Sequence, residues 1–316
     1  MAGRSLLLAG AAVVLLGGCQ PASERSQCVE QVLASFTLPS GTAVFTDTDG
    51  TLGYAPRTPS GWMRKQRQWP AASLTKPLVA AEIRRLIEAD ALRLDTPVAQ
   101  ALGRTHGRYD PALGHTTVRH LLQHTAGLDR ASSGDPLWRE DGEPDCSAAA
   151  ARLLQGPLDY PPGQRVAYSN AGYCVLGEIL KRHAPRLDRD MRRVLQSGLG
   201  AAGGWSSPLD TLHGRLRSTL PIPPLAPMAR LADGSYYTYG WRYWPAHQRT
   251  GAPWTHTGRL PRMLAVALSD GADTLLVAHF SGDPADWEAA SQDFNRKAWQ
   301  CMHLHTPPLT TVASHD

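Results

Sequence analysis

Ser73-Leu74-Thr75-Lys76 is the only Ser-x-x-Lys in a chain whose lysines are Lys65, Lys76, Lys181 and Lys297. On a helix, that three-residue offset puts both side chains on one face, about 5–6 Å apart at Cβ. A serine hydroxyl is a weak nucleophile until a nearby base takes its proton. An amine becomes such a base when burial or a neighbouring cation lowers its pKa well below about 10.4. The flanks predict a helix here. Trp69-Pro70-Ala71-Ala72 leads in, Ser73 is a favourable N-cap, and Pro77 falls in the first turn, where a missing N–H does least harm. The apolar-rich run from Leu78 to Leu86 continues at helical spacing, so the helix is predicted over 74–88.

Outward from this stretch, an N-terminal helix is predicted over 22–36 and a strand over 41–46. Asp49-Gly50 is a hairpin turn, with a second strand over 51–56. Further helices are predicted over 117–124, 147–154 and 171–183, and a Pro-rich stretch over 208–232 shows little periodicity. Strand character returns over 236–244, 254–257, 263–269 and 274–280, with Asp270-Gly271 joining the last two as a hairpin, and a final helix covers 284–303. Strands at both ends with helices between them predict an α+β fold: one antiparallel sheet built from N- and C-terminal strands and covered by the terminal helices. A mostly helical lobe over about 77–235 would dock beside it, within a single domain over 28–305 and ahead of a tail over 306–316.

Hydrophobic content of 42% and charged content of 19% describe a folded globular protein. The net charge of +4 is spread along the chain with no basic block, so nucleic acid is not an expected partner. No cysteine pair has metal-ligand spacing and the 12 histidines are dispersed, so neither a metal nor another cofactor is expected. Cys28, Cys146, Cys174 and Cys301 form an even set that suits disulfides in an oxidising compartment. Three pairings are possible, and the sequence does not choose. If the terminal helices cover the sheet together, Cys28 and Cys301 meet, which leaves Cys146 with Cys174.

Two downstream stretches carry chemistry. Tyr168-Ser169-Asn170 follows Tyr160-Pro161-Pro162-Gly163 and leads into a predicted helix. A phenol beside the Ser–Lys pair can pass a proton between nucleophile and leaving group, and the Asn170 amide can hold both Lys76 and a substrate carbonyl. Trp254-Thr255-His256-Thr257-Gly258 lies on a predicted strand, where Gly258 would let the backbone come close to a reacting carbonyl.

In this order and at these separations, the three stretches resemble the motif set of the penicillin-recognising serine hydrolases. Tyr-Ser-Asn and His-Thr-Gly in the second and third positions resemble the class C β-lactamase, esterase and D-stereospecific peptidase branch. Leu121-Leu122-Gln123-His124-Thr125-Ala126-Gly127-Leu128, Ala202-Gly203-Gly204 and Tyr239-Gly240-Trp241 are similar to further segments of that family. The resemblance implies a β-lactamase/transpeptidase-like fold with Ser73 as the acylated nucleophile and Lys76 as its proton acceptor. It implies Tyr168 in proton transfer and Asn170 as a positioning amide, and it leaves open whether Lys76 or Tyr168 is the base. Backbone N–H groups of Ser73 and Arg259 would form an oxyanion hole. His256, Thr257 and Gly258 would line the substrate strand, with His256 as a donor whose charge changes near pH 6.5.

Arg259 and Arg262 depart from the pattern, since relatives often carry a small residue and a glycine there. They would bind a substrate carboxylate, narrow the cleft or simply point to solvent. The segment from Leu187 to Gly204 is also shorter than its family counterpart. The expected activity is cleavage of an amide or ester in a small molecule or peptide through a covalent acyl-enzyme. The substrate class would be that of a D-Ala-D-Ala-type carboxypeptidase, a D-aminopeptidase or an esterase. The alternatives are a class C-like β-lactamase and a catalytically silent cell-envelope binding lipoprotein. Oligomeric state is not legible.

Residues 1–19 read as a targeting segment. Arg4 gives a charged start, and the apolar run from Leu6 to Gly18 is shorter than the roughly 20 residues that span a bilayer. Its end, Leu16-Gly17-Gly18-Cys19, resembles the lipobox of bacterial lipoproteins. That implies acylation at Cys19, a polar tether over 20–27 and a lipid-anchored protein of the cell envelope facing the periplasm. Gln20 in place of aspartate favours the outer membrane. Cys19→Ala should move the protein out of the membrane fraction on cell fractionation; unchanged membrane association would refute the anchor.

Overall fold

Met263–Ser269 decides the layering, because every residue of this strand is buried. Successive strand side chains point to opposite faces. Leu264, Val266 and Leu268 therefore join one apolar cluster, and Met263, Ala265 and Ala267 join another. A strand covered on both faces belongs in the middle of a sheet. The computed structural model describes residues 23–303 apart from 37, 39, 48, 56–66, 104–113, 136, 224 and 283. The targeting segment with Cys19, residues 20–22 of the tether and the 306–316 tail lie outside the described residues.

The sheet strands are β1 (Ser40–Thr46), β2 (Leu52–Ala55), β3 (Tyr236–Thr238), β4 (Trp241–Tyr243), β5 (Trp254–Leu260), β6 (Met263–Ser269) and β7 (Leu275–Ser281). They form one antiparallel sheet in the order β2-β1-β7-β6-β5-β4-β3. N-terminal and C-terminal strands meet where β1 pairs with β7, Val44 opposite Val277. The predicted strand over 236–244 is in fact the β3–β4 hairpin, broken at Tyr239-Gly240, where both residues take positive φ (43° and 80°).

Helices α1 (Glu24–Ser35) and α7 (Trp287–Met302) cover one face, where Val29, Leu33, Phe294 and Ala298 pack on Phe45, Val266 and Phe280. The Cys28–Cys301 disulfide joins these two helices. Arg25 reinforces the same junction by donating to the carbonyls of Thr46 (3.0 Å) and Met302 (2.6 Å). Because Ser23 caps α1 from its N-terminus, residues 24–27 of the expected tether are helical.

The other face carries the helical lobe. Its main helices are α2 (Thr75–Glu88), α3 (Val118–Leu122), α4 (Cys146–Gln155), α5 (Asn170–His183) and α6 (Leu209–Arg217). Cys146–Cys174 ties α4 to α5. Helix α6 lies in the stretch read as aperiodic; it buries Leu209, Leu212, His213 and Leu216. Its 9 residues include Gly214, a weak helix former, so the pattern is too short to stand out between the prolines. The segment from Leu187 to Gly204 holds two further short helices, Arg189–Gln196 and Gly200–Gly203. No helix among the described residues is long and apolar enough to cross a membrane.

Because Cys28–Cys301 links positions 273 residues apart, it restricts the unfolded chain strongly. Cys28→Ser should lower unfolding stability by about 2–5 kcal/mol. Denaturant unfolding checks this, and an unchanged midpoint would refute it.

Candidate active site

The Ser73 turn is not the N-cap that the sequence predicts. Ala72–Leu74 forms a short 3-10 turn ahead of α2, and no side chain caps either element. Ala72 has φ of 46°, a left-handed conformation that a non-glycine residue adopts only when its surroundings impose it. Two contacts impose it here: Ala71 N–H donates to Trp205 O (2.8 Å), and Trp205 N–H donates to Thr75 Oγ1 (3.0 Å). Freed from capping, Ser73 Oγ accepts from Lys76 Nζ at 3.0 Å.

Lys76, in the first turn of α2, is fully buried. Its amine also donates to Asn170 Oδ1 (2.8 Å) and Ala202 O (2.7 Å). The Tyr168 and Tyr173 rings lie 4.8 and 5.6 Å from Nζ. Burial pushes the amine from its ordinary 10.5 down to about 7; the Asp135 carboxylate opposes this and Arg130 adds to it.

Tyr168 and Asn170 are set by the start of α5, where the Ser169 hydroxyl accepts from Gly172 N–H (3.1 Å). The segment after α3 holds this turn. His124 accepts at Nδ1 from Ser169 N–H (3.1 Å), its carbonyl accepts from Ala167 N–H (2.9 Å), and its ring stacks on Tyr168 at 4.4 Å. The family-like 121–128 segment is therefore a cradle for Tyr168. Burial, and next the neighbouring Tyr237, push the Tyr168 phenol far above its ordinary value. Its buried hydroxyl makes no hydrogen bond among the described residues.

Strand β5 forms the opposite wall. Strand β4 pairs only with Trp254 and Thr255, so beyond Thr255 the edge of β5 has no strand partner on that side. The Ser73 turn approaches there. A Cβ on Gly258 would lie 2.4 Å from Ala71 O and 3.3 Å from Ser73 N, so only glycine allows the approach. His256 corrects an expectation. It is buried with neither ring nitrogen hydrogen-bonded among the described residues, and burial, followed by the Lys76 and Arg242 charges, pushes it well below 6.5. It stays neutral through the physiological range and does not switch charge near pH 6.5.

A cavity of about 430 Å³ opens over these groups, with Ser73, Tyr168, Asn170, His256, Thr257 and Arg259 in its lining. Arg259 is exposed, its guanidinium 5.8 Å from the Trp287 ring. Arg262 lies outside the lining, in the turn between β5 and β6, with φ of 63°. That positive φ suits the glycine expected there.

Sequence reasoning missed Arg130, Asp135, Trp138, Arg242 and the start of α7, all of which line the cavity. Arg242 is held by Asp233 (2.5 Å) and lies over the Trp244 ring at 3.9 Å. None of these carries a local sequence signal. No group of side chains suited to a metal ion gathers among the described residues.

Residues 25–211 match the family model described as Beta-lactamase. The chain belongs to the Beta-lactamase family. Esterase EstB of Burkholderia gladioli is 35% identical over 141 residues, which cover 41% of this chain and 36% of that protein. A probable fimbrial assembly protein FimD, serogroup H1, of Dichelobacter nodosus is 33% identical over 134 residues, 42% of this chain and 32% of that protein. The match thus spans about a third of the length of these curated relatives. A β-lactamase/D-alanine carboxypeptidase from Yersinia pestis, solved with citrate, superposes with a TM-score of 0.64 at 18% identity, over 88% of this chain and 98% of that one. A D-amino acid amidase from Ochrobactrum anthropi gives 0.61 at 16% identity, over 89% and 99%. At these identities the structural likeness is one of fold.

The Lys76 amine is protonated in the unfolded chain up to about 10.5, but in the folded chain only below about 7. Between those values the unfolded state binds more protons, so stability rises with pH. Lys76→Met should flatten this rise when unfolding is measured from pH 7 to 10. Parallel curves for the two proteins would overturn the lowered pKa.

Proposed function

We propose that this protein is a serine hydrolase that cleaves an amide or ester through an acyl-enzyme on Ser73. The observation that carries this reading is the 3.0 Å contact between the Ser73 hydroxyl and a fully buried amine whose pKa lies near 7. Neutral Lys76 takes the hydroxyl proton as Ser73 Oγ bonds to the substrate carbonyl carbon. Backbone N–H groups of Ser73 and Arg259 hold the resulting oxyanion, a contribution of about 2.7–4 kcal/mol per donor. The tetrahedral intermediate collapses, and the leaving amine or alkoxide takes the Tyr168 proton. Lys76 then returns its proton to Tyr168, and water releases the acyl group by the same route. The strongly raised phenol keeps its proton, so Lys76 rather than Tyr168 is available as the base.

The substrate is taken to be a D-amino-acid peptide, amide or ester. The D-amino acid amidase and D-alanine carboxypeptidase named above share the fold, and EstB is an esterase. Arg259, at the cavity mouth, would meet a substrate carboxylate. The protein is taken to act from a lipid anchor at Cys19, facing the periplasm.

Incubation with a fluorescent penicillin and with a fluorophosphonate, followed by mass spectrometry, should give one adduct on Ser73, lost in Ser73→Ala. Turnover of nitrocefin, short p-nitrophenyl esters and D-Ala-D-Ala peptides then assigns the substrate. Prompt loss of the penicillin adduct marks a β-lactamase, a lasting one marks a peptidase, and reaction with the phosphonate alone marks an esterase. No adduct with either probe would overturn the reading.

A further inference from the structure

Asp135 is the one carboxylate tied directly to the Ser73–Lys76–Asn170 cluster among the described residues, and the mechanism above gives it no task. It follows the short helix Arg130–Ser133 and lines the cavity beside Ser73. One carboxylate oxygen accepts from Asn170 Nδ2 at 2.6 Å, and the other accepts from Leu137 N–H at 3.2 Å. An asparagine amide has a donor end and an acceptor end, and either can face a neighbour. A carboxylate on the donor end fixes the choice, leaving Oδ1 towards Lys76 Nζ at 2.8 Å. Reversed, the amide would set N–H donors against an amine that is itself a donor.

We propose that Asp135 is the positioning residue of the Ser73–Lys76 pair, orienting Asn170 and holding a negative charge behind the amine. This rests on the reading of Ser73 as nucleophile and Lys76 as base. Several elements face Lys76. The 130–135 segment brings Arg130 and Asp135, and α5 with its lead-in brings Tyr168 and Tyr173. The turn after α3 brings His124 and β5 brings His256, both held neutral by burial. Of the charged groups among these, Asp135 stabilises the protonated amine and Arg130 opposes it. The carboxylate therefore sets where the base titrates as well as how it is held.

The test is the rate of Ser73 labelling by a fluorophosphonate as a function of pH, in the wild type, Asp135→Asn and Asp135→Glu. Asparagine keeps an oxygen for Asn170 but removes the charge. The acid limb should then move to lower pH by about one unit, with a slower plateau. Glutamate keeps the charge and should leave the limb near its wild-type position. A residue with a purely structural role would lower the rate at every pH and leave the limb in place; that result for Asp135→Asn overturns the proposal. If Asp135→Asn does not fold, a shifted limb in Asp135→Glu overturns it instead, and failure of both variants to fold assigns Asp135 to folding. A wild type that labels nowhere would remove the nucleophile reading and this proposal with it.

Discussion

Among the described residues, the Lys76 amine is held in a dry place with three hydrogen-bond acceptors and no ion pair in contact. Burying a charged ammonium is costly, and a protein commonly meets that cost by letting the group go neutral. Burial brings Lys76 down to about 7, so near neutral pH part of the population is the neutral amine that can take a proton. Its acceptors come from three parts of the chain: the Ser73 turn, the first residue of α5 and the short helix Gly200–Gly203. The amine is thus where the lobe's helices converge, and the position of each depends on the others.

The backbone around it is shaped by close approach. Ala72 is strained at φ of 46°, and the Ser73 turn is pressed against β5 so closely that Gly258 admits no side chain. On the far side, the Tyr239-Gly240 turn abuts the start of α2, where a Cβ on Gly240 would lie 2.5 Å from Pro77 N. These contacts fix the helix N-terminus between the sheet and its hairpin. Electrostatic assistance of this kind depends on donors being in place before reaction, and a wedged turn supplies that rigidity.

Local pattern made much of the fold legible. The strands from Trp254 onward and the helices over 75–88 and 170–183 follow the predicted bounds within a few residues, because apolar periodicity and turn residues agreed there, whereas the predicted strand over 236–244 is a hairpin. Helix α6 was invisible because it is short and lies between prolines. The Cys28–Cys301 contact follows from two terminal helices sharing one face of the sheet, a matter of topology that spacing alone does not specify. Ser73 reads as an N-cap from its residue type, whereas the strained turn turns its hydroxyl to Lys76 instead.

The sequence by itself determined the residue types that chemistry of this kind needs and their order along the chain, because a serine, lysine and tyrosine are visible wherever they stand. Tertiary structure alone decided their electrical state. His256 is expected to titrate near pH 6.5 and is pushed well below that by burial, Arg262, whose task the sequence leaves open, sits in the turn between β5 and β6, and Asp135, silent in the sequence, stands behind the Asn170 amide. Proton affinity depends on the solvent and charges that surround a group in space, and those neighbours come from segments tens of residues away.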